Sequence, residues 1–346
     1  MTRLRKMVIG AAVLFGATSA VALGLLQLDR AFPPPLPEKL VVSTEVVDRD
    51  GALLRAFATP DGRWRLAASL DQVDPQFVEM LIAYEDKRFH EHSGVDPLAL
   101  LRAAGQFAGN GRIVSGGSTL SMQLARLTEP RASRSIASKL RQIARAVQVE
   151  RRLTKREILE RYLTLAPYGG NLEGVRAASL AYFGKEPKRL TVSEAALLVA
   201  LPQLPEKRRP DRHPEAAHAA RDRVLSRMVA AGLLGDREAA RAALEDPPGR
   251  RLALPALAAH AADATMRATP EKTRHQLTIK KSVQQGLEAV ARDAAAKLGP
   301  RISVAMVLAD ARTGEILGEV GSADYFDASR SGWIDMSKTR RAPGST

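Results

Sequence analysis

Glu85 and Asp86 stand side by side ahead of Lys87-Arg88-Phe89-His90-Glu91-His92-Ser93-Gly94-Val95-Asp96, where acidic, basic and imidazole groups crowd an aromatic ring and a glycine. Crowding of this kind shifts a carboxylate toward general acid or base duty, although a polar helix terminus has the same look. A metal reading of His90, His92 and Asp96 is weaker, because such close sequence neighbours rarely converge on one ion without a supporting scaffold. A second segment, Ser115-Gly116-Gly117-Ser118-Thr119 followed by Leu120 to Arg126, joins a glycine pair to a capped helix. Glycines let backbone amides approach a ligand, and a helix start supplies unpaired donors, so the segment suits a phosphate; ordinary helix caps share the pattern. Residues 130–161 then carry ten Lys or Arg against three Glu, half of the net charge of +14. Such a run is usually a solvated face, and outside a membrane its anionic partner is a phospholipid or lipid diphosphate rather than nucleic acid.

These groups need elements to hold them. Phe77, Met80, Leu81 and Tyr84 recur at i, i+3, i+4 and i+7, so a helix burying that face delivers Glu85 and Asp86 at its end. Lys139 falls on the polar flank of another helix, whose other side is expected to bury Leu140, Ile143 and Val147.

The 346 residues exceed what one core usually serves, so two folded units are expected. The absence of cysteine removes disulfides and thiolate metal sites. Met7 to Leu28 is uncharged for 22 residues, long enough to cross a ~30 Å hydrocarbon core. Arg3, Arg5 and Lys6 precede it and keep the tail in the cytoplasm. Ala20-Val21-Ala22 would suit signal-peptide cleavage, but the apolar run is longer than a typical signal core. Phe32 to Pro37 is a proline spacer expected to lift the rest off the membrane. A hairpin turns at Asp50-Gly51 within residues 44–57, and residues 75–235 have a helical pattern. The chain therefore divides into a tail (1–6), an anchor (7–28), a stalk with hairpin (29–57), a first domain (58–235), a helical linker (236–272) and a cut-off α+β domain (273–346). The last opens on a hairpin of Ile302 to Leu308 and the run at Ile316 about Asp310 to Gly314.

Taken in order, these segments resemble the motifs of the family 51 peptidoglycan glycosyltransferases. Glu85-Asp86-Lys87-Arg88-Phe89 through Asp96 looks like motif one, and Gly116-Gly117-Ser118-Thr119 with Gln123 like motif two. Lys139 to Glu150 and Lys155 to Leu163 look like motif three; Ala166-Pro167-Tyr168-Gly169-Gly170 through Lys185 like motif four; Ser193 to Pro202 like motif five. Five motifs in order are far more specific than any one. Gln142 stands where motif three usually has a carboxylate, and Arg126 where Lys is common. Gln142 and the wording around it resemble the 1C subgroup of the class A penicillin-binding proteins. Glu150, about 80° round and ~12 Å along from Gln142, is a poor stand-in for that carboxylate.

The resemblance implies a mainly α, lysozyme-like domain behind one N-terminal transmembrane helix in the cell inner membrane, facing the periplasm and polymerising lipid II with inversion. In that reading Glu85 takes a proton from the acceptor 4-hydroxyl, while Lys139, Arg126 and the amides near Ser118 stabilise the leaving diphosphate. Gln123 holds a sugar or phosphate oxygen, and Asp86, Gly116, Gly117, Thr119, Gln142 and Glu150 complete the substrate-binding set. No cofactor is required, and a divalent ion such as magnesium is compatible with the diphosphate. Implied partners are lipid II, the growing glycan, membrane lipid and other cell-wall synthesis proteins, with no nucleic acid.

Thr278-Ile279 with Gln284, the Asp310 to Gly314 turn, Val320-Gly321-Ser322 and Arg341-Ala342-Pro343-Gly344-Ser345-Thr346 resemble the start of a penicillin-binding transpeptidase domain. Ser345 matches the acylated serine, whose partner lysine would fall beyond the chain, so this sequence alone is not expected to acylate. Two rivals stay open: a lytic glycosidase of lysozyme-like fold, disfavoured by the phosphate-oriented segments, and a membrane-tethered scaffold in which Gln142 marks lost activity.

Overall fold

The computed structural model describes residues 27, 29–34, 36–110, 117–129 and 135–340. The expected anchor, apart from Gln27, lies outside the described residues, as do Gly116 and the 341–346 end with Ser345. Among the described residues no helix is long and apolar enough to cross a membrane. The chain forms two compact units, one of residues up to 40 with 78–165, the other of 41–77 with 166–346.

The first unit is helical. Helix α1 (Pro75–Glu85) starts on a proline, whose missing amide costs nothing at a helix start, and ends at Glu85. Phe77, Met80 and Leu81 are buried as their spacing predicts, while Tyr84 is half-buried. Helices α2 (Pro97–Asn110), α3 (Leu120–Thr128), α4 (Ile136–Arg152) and α5 (Lys155–Leu165) follow, with α3 packed on both α4 and α5. The face that α4 buries differs from the one its leucine predicts. In α4 the buried positions are Ala146 and Val149, while Leu140 is 62% exposed. The loop at Gly94 rests on the Ala146 backbone, on the side of the helix away from Leu140. The proline-rich segment is also tied to this unit by hydrogen bonds. Arg145 donates to the carbonyls of Phe32 and Pro33, Gln148 to that of Phe32, and Arg161 to that of Pro37. Prolines lack amides to pair within their own segment, leaving such carbonyls open to these donors.

The second unit is mixed. Strands β1 (Thr44–Val47) and β2 (Leu53–Phe57) form the expected hairpin, and β6 (Arg274–Gln276) pairs parallel with the other edge of β1. A second small sheet, in the order β3 (Trp64–Arg65), β5 (Leu172–Glu173), β4 (Pro167–Gly169), interrupts the stretch read as helical. Gly169 (φ +100°) and Gly170 (φ +59°) make its turn, and a Cβ on Gly169 would lie 2.5 Å from the Arg209 side chain. Helices α6 (Val175–Phe183), α7 (Val192–Ala200), α8 (Pro214–Ala230) and α9 (Asp236–Ala243) follow, α7 and α9 both packing on α8. The stretch read as a linker holds α9 and α10 (Ala259–Ala268), and α10 packs on β1 and β2. Its Ala261, with Ala258, Leu54 and Ile279, makes a small core. Alanine buries little area, so that face carried no clear sequence signal. Helix α11 (Lys281–Leu298) lies on the antiparallel hairpin of β7 (Met306–Ala309) and β8 (Ile316–Val320).

Candidate active site

Glu85, Asp86, Thr119, Gln123, Ser118 and Lys139 lie where α1, α3, α4 and the loop 86–96 come together. Glu85 is half-buried, and its Oε2 accepts from Gln123 Nε2 at 2.8 Å. The Oε1 of Gln123 accepts in turn from the Tyr162 hydroxyl at 3.3 Å. A carboxylate held this way keeps a fixed orientation and remains an acceptor, as a proton-abstracting group must.

Asp86 turns inward. It is 6% exposed, and its oxygens bond His92 Nε2 at 2.9 and 3.1 Å and the Leu120 amide at 2.9 Å. It thus anchors the start of α3, where unpaired amides favour an anion. His92 Nδ1 faces the Gly94 amide at 3.1 Å. Thr119 caps α3 by accepting from the Met122 amide at 3.1 Å, and donates to the Gly94 carbonyl at 2.6 Å. Gly94 has φ +99°, and a Cβ there would lie 2.6 Å from the Ala146 carbonyl oxygen, so only glycine lets α4 close on this loop. Asp96 accepts from the Ala99 amide at 2.9 Å at the start of α2 and pairs with Arg88. His90, His92 and Asp96 do not form a metal-binding cluster, nor does any other group of three acidic or imidazole side chains among the described residues.

On the α4 side, Lys139 Nζ donates to Ser118 Oγ at 2.6 Å and to Gln142 Oε1 at 3.1 Å. The Lys139 residue is exposed overall, but partial loss of water around its ammonium, and then the charge of Arg126, draw its pKa below the usual lysine value. Gly117 and Ser118 are half-buried ahead of Thr119, and Arg126 is exposed on the last turn of α3. Glu150 lies elsewhere on α4. Its Oε1 accepts from Ser121 Oγ at 2.5 Å and from Lys155 Nζ at 2.7 Å.

Lys155 and Ser121 are what sequence reasoning missed. Lys155 also donates to the His92 carbonyl at 2.6 Å and stands 4.5 Å from the centre of the Phe89 ring. One ammonium thereby joins the loop after Glu85 to α4. No spacing announces this: Lys155 and Glu150 sit on opposite sides of a helix break, and His92 is 63 residues away.

The chain matches the transglycosylase family over residues 50–229, more than half its length. It is 42% identical over 321 residues to Penicillin-binding protein 1C of Escherichia coli, covering 92% of this chain and 41% of that protein. It is 37% identical over 238 residues to Penicillin-binding protein 1A of Aquifex aeolicus, covering 67% of this chain and 32% of that protein. The chain thus spans less than half the length of these relatives. The crystal structure of Penicillin-Binding Protein 1A from Haemophilus influenzae superposes at a TM-score of 0.35 with 19% identity, over 74% of this chain and 29% of that one, too loosely to bear on the fold. The 50–229 match takes in Glu85, Gln123, Lys139 and the network around them, and on that match the chain belongs to the transglycosylase family.

Proposed function

We propose that the chain is a peptidoglycan glycosyltransferase that polymerises lipid II, with Glu85 as the general base. The observation that carries this reading is the Glu85 carboxylate fixed by Gln123 at the end of α1, in the same unit as the Lys139–Ser118 pair. The acceptor 4-hydroxyl gives its proton to Glu85 as its oxygen attacks the donor anomeric carbon from the face opposite the leaving group, inverting that carbon. The bond to the lipid diphosphate breaks as this one forms, and negative charge grows on the departing oxygen. Lys139, Arg126 and the Ser118 hydroxyl stabilise that charge, with the Gly116-Gly117 backbone as the approach for the phosphates. Gln142 acts through its amide, sharing the Lys139 ammonium. Asp86, Thr119 and Glu150 serve by positioning, since their oxygens are engaged by the loop, α3 and Lys155.

In the same proposal Met7 to Leu28 anchors the chain in the inner membrane with the catalytic unit in the periplasm, the fold of that unit is lysozyme-like, and residues from 273 begin a transpeptidase domain with Ser345 as its nucleophile. The test is labelled lipid II supplied to purified protein, with polymer resolved by size. The wild type should extend chains, and Glu85→Gln should lose ~100-fold or more of that rate at an unchanged melting temperature. Polymer formation at the wild-type rate in Glu85→Gln would remove the assignment.

A further inference from the structure

Helix α4 has two working faces. At ~100° per residue, Lys139, Gln142, Ala146 and Glu150 fall within ~80° of one another, and Arg141, Ala144, Gln148 and Arg151 fall within ~80° on the opposite side. The first face belongs to the candidate active site. The second, with the chain at 29–32, walls a groove of about 490 Å³. Its surface is mostly apolar, from Phe32, Ala144 and Val147, and the exposed Arg141 and Arg151 stand at its edge. Its shape is fixed by the bonds from Arg145 and Gln148 to the Phe32 carbonyl and by the Arg152–Asp29 ion pair at 3.1 Å. Asp29 is one of its lining residues, and its Oδ1 is buried with no hydrogen-bond partner among the described residues. A buried carboxylate oxygen without a donor is costly, and its presence beside cations and apolar walls indicates a ligand that brings an anion, a donor and a hydrocarbon chain together.

We propose that this groove binds one anionic phospholipid of the surrounding bilayer, its phosphate between Arg141 and Arg151, a headgroup hydroxyl donating to Asp29 Oδ1, and its acyl chain along Phe32 and Val147. The bilayer lipid is favoured over the lipid-linked substrate because the groove lies on the side of α4 turned away from Lys139. Asp29 directly follows the segment assigned as the anchor, which puts the groove at headgroup depth; the inference rests on that part of the proposed function. A bound lipid would fix the angle between anchor and catalytic unit.

The experiment is native mass spectrometry of the full chain in detergent, titrated with phosphatidylglycerol and, separately, phosphatidylcholine of the same acyl chains. The wild type should retain phosphatidylglycerol about thirtyfold better, the scale of two cationic side chains at a lipid headgroup. The Arg141→Gln/Arg151→Gln variant should lose that preference while polymerising lipid II at the wild-type rate in the same detergent. Equal retention of the two lipids by the wild type, or an undiminished preference in the double variant, overturns the proposal. Loss of lipid II polymerisation in the double variant also overturns it, by placing those arginines on the substrate. A wild type that binds phosphatidylglycerol selectively yet makes no polymer would instead count against the glycosyltransferase assignment alone.

Discussion

The Arg176 cluster of the second unit and the Asp86–His92–Lys155 network of the first both bury charge, but they end differently. Arg176 bonds Glu45 through both terminal nitrogens at 2.8 and 3.0 Å, Glu186 at 2.9 Å and the Ala67 carbonyl at 2.7 Å. Burial draws its pKa down, but the Glu186 hydrogen bond and the charges of Glu45 and Glu186 outweigh it, and the guanidinium is held above its ordinary value. That cluster closes on itself. In the first unit the buried bonds fix the loop and the start of α3, and beside them the side chains of Glu85 and Lys139 stay at least partly exposed. On the function proposed above, the difference separates a charge cluster that serves stability from one that serves chemistry.

The sharpest break in that comparison comes from Arg176→Met. It leaves the buried Glu45 carboxylate without its cation and should cost about 3–5 kcal/mol in denaturant unfolding, with Arg176→Met/Glu45→Met recovering part of the loss. A single variant as stable as wild type would mean that the cluster is not structural. Gly94→Ala comes next. The positive φ and the close approach to Ala146 should cost about 2–4 kcal/mol, and the displaced α4 should slow polymerisation as well, since it carries Lys139. Stability lost with activity intact would uncouple the loop from the site.

The smallest effect sharpens the role of Lys139. Lys139→Met should lower the polymerisation rate about tenfold without affecting the melting temperature. In the proposed role the side chain works charged, and its pKa is drawn down, so activity should fall on the alkaline side at a lower pH than an ordinary lysine at ~10.4 would give. Gln142→Glu places a carboxylate beside Nζ, which favours the charged form, so that limb should move to higher pH. A limb that stays put would show that another group titrates there. If Gln142→Glu instead raises turnover several-fold, the natural Gln weakens the enzyme and the scaffold reading gains ground.

Much of this was legible in the sequence because it depends on neighbours along the chain. The period of Phe77, Met80 and Leu81 set α1 and its end at Glu85; Thr119 capped α3; Asp50-Gly51 turned the first hairpin and Asp310 to Gly314 the last. The 22-residue uncharged run and the order of the family motifs are likewise properties of the chain itself. What only the tertiary structure decided are the contacts made at long sequence separation. Asp86 turned inward to the start of α3, Lys155 joined three segments, β6 paired with β1 some 230 residues away, and α4 seated on Ala146 with Leu140 outward. The physical reason is that periodicity says a helix has an apolar face but not what arrives to cover it. On α4 a glycine with positive φ in a distant loop closes on the Ala146 backbone, and the face that is buried carries Ala146 and Val149 while Leu140 points outward.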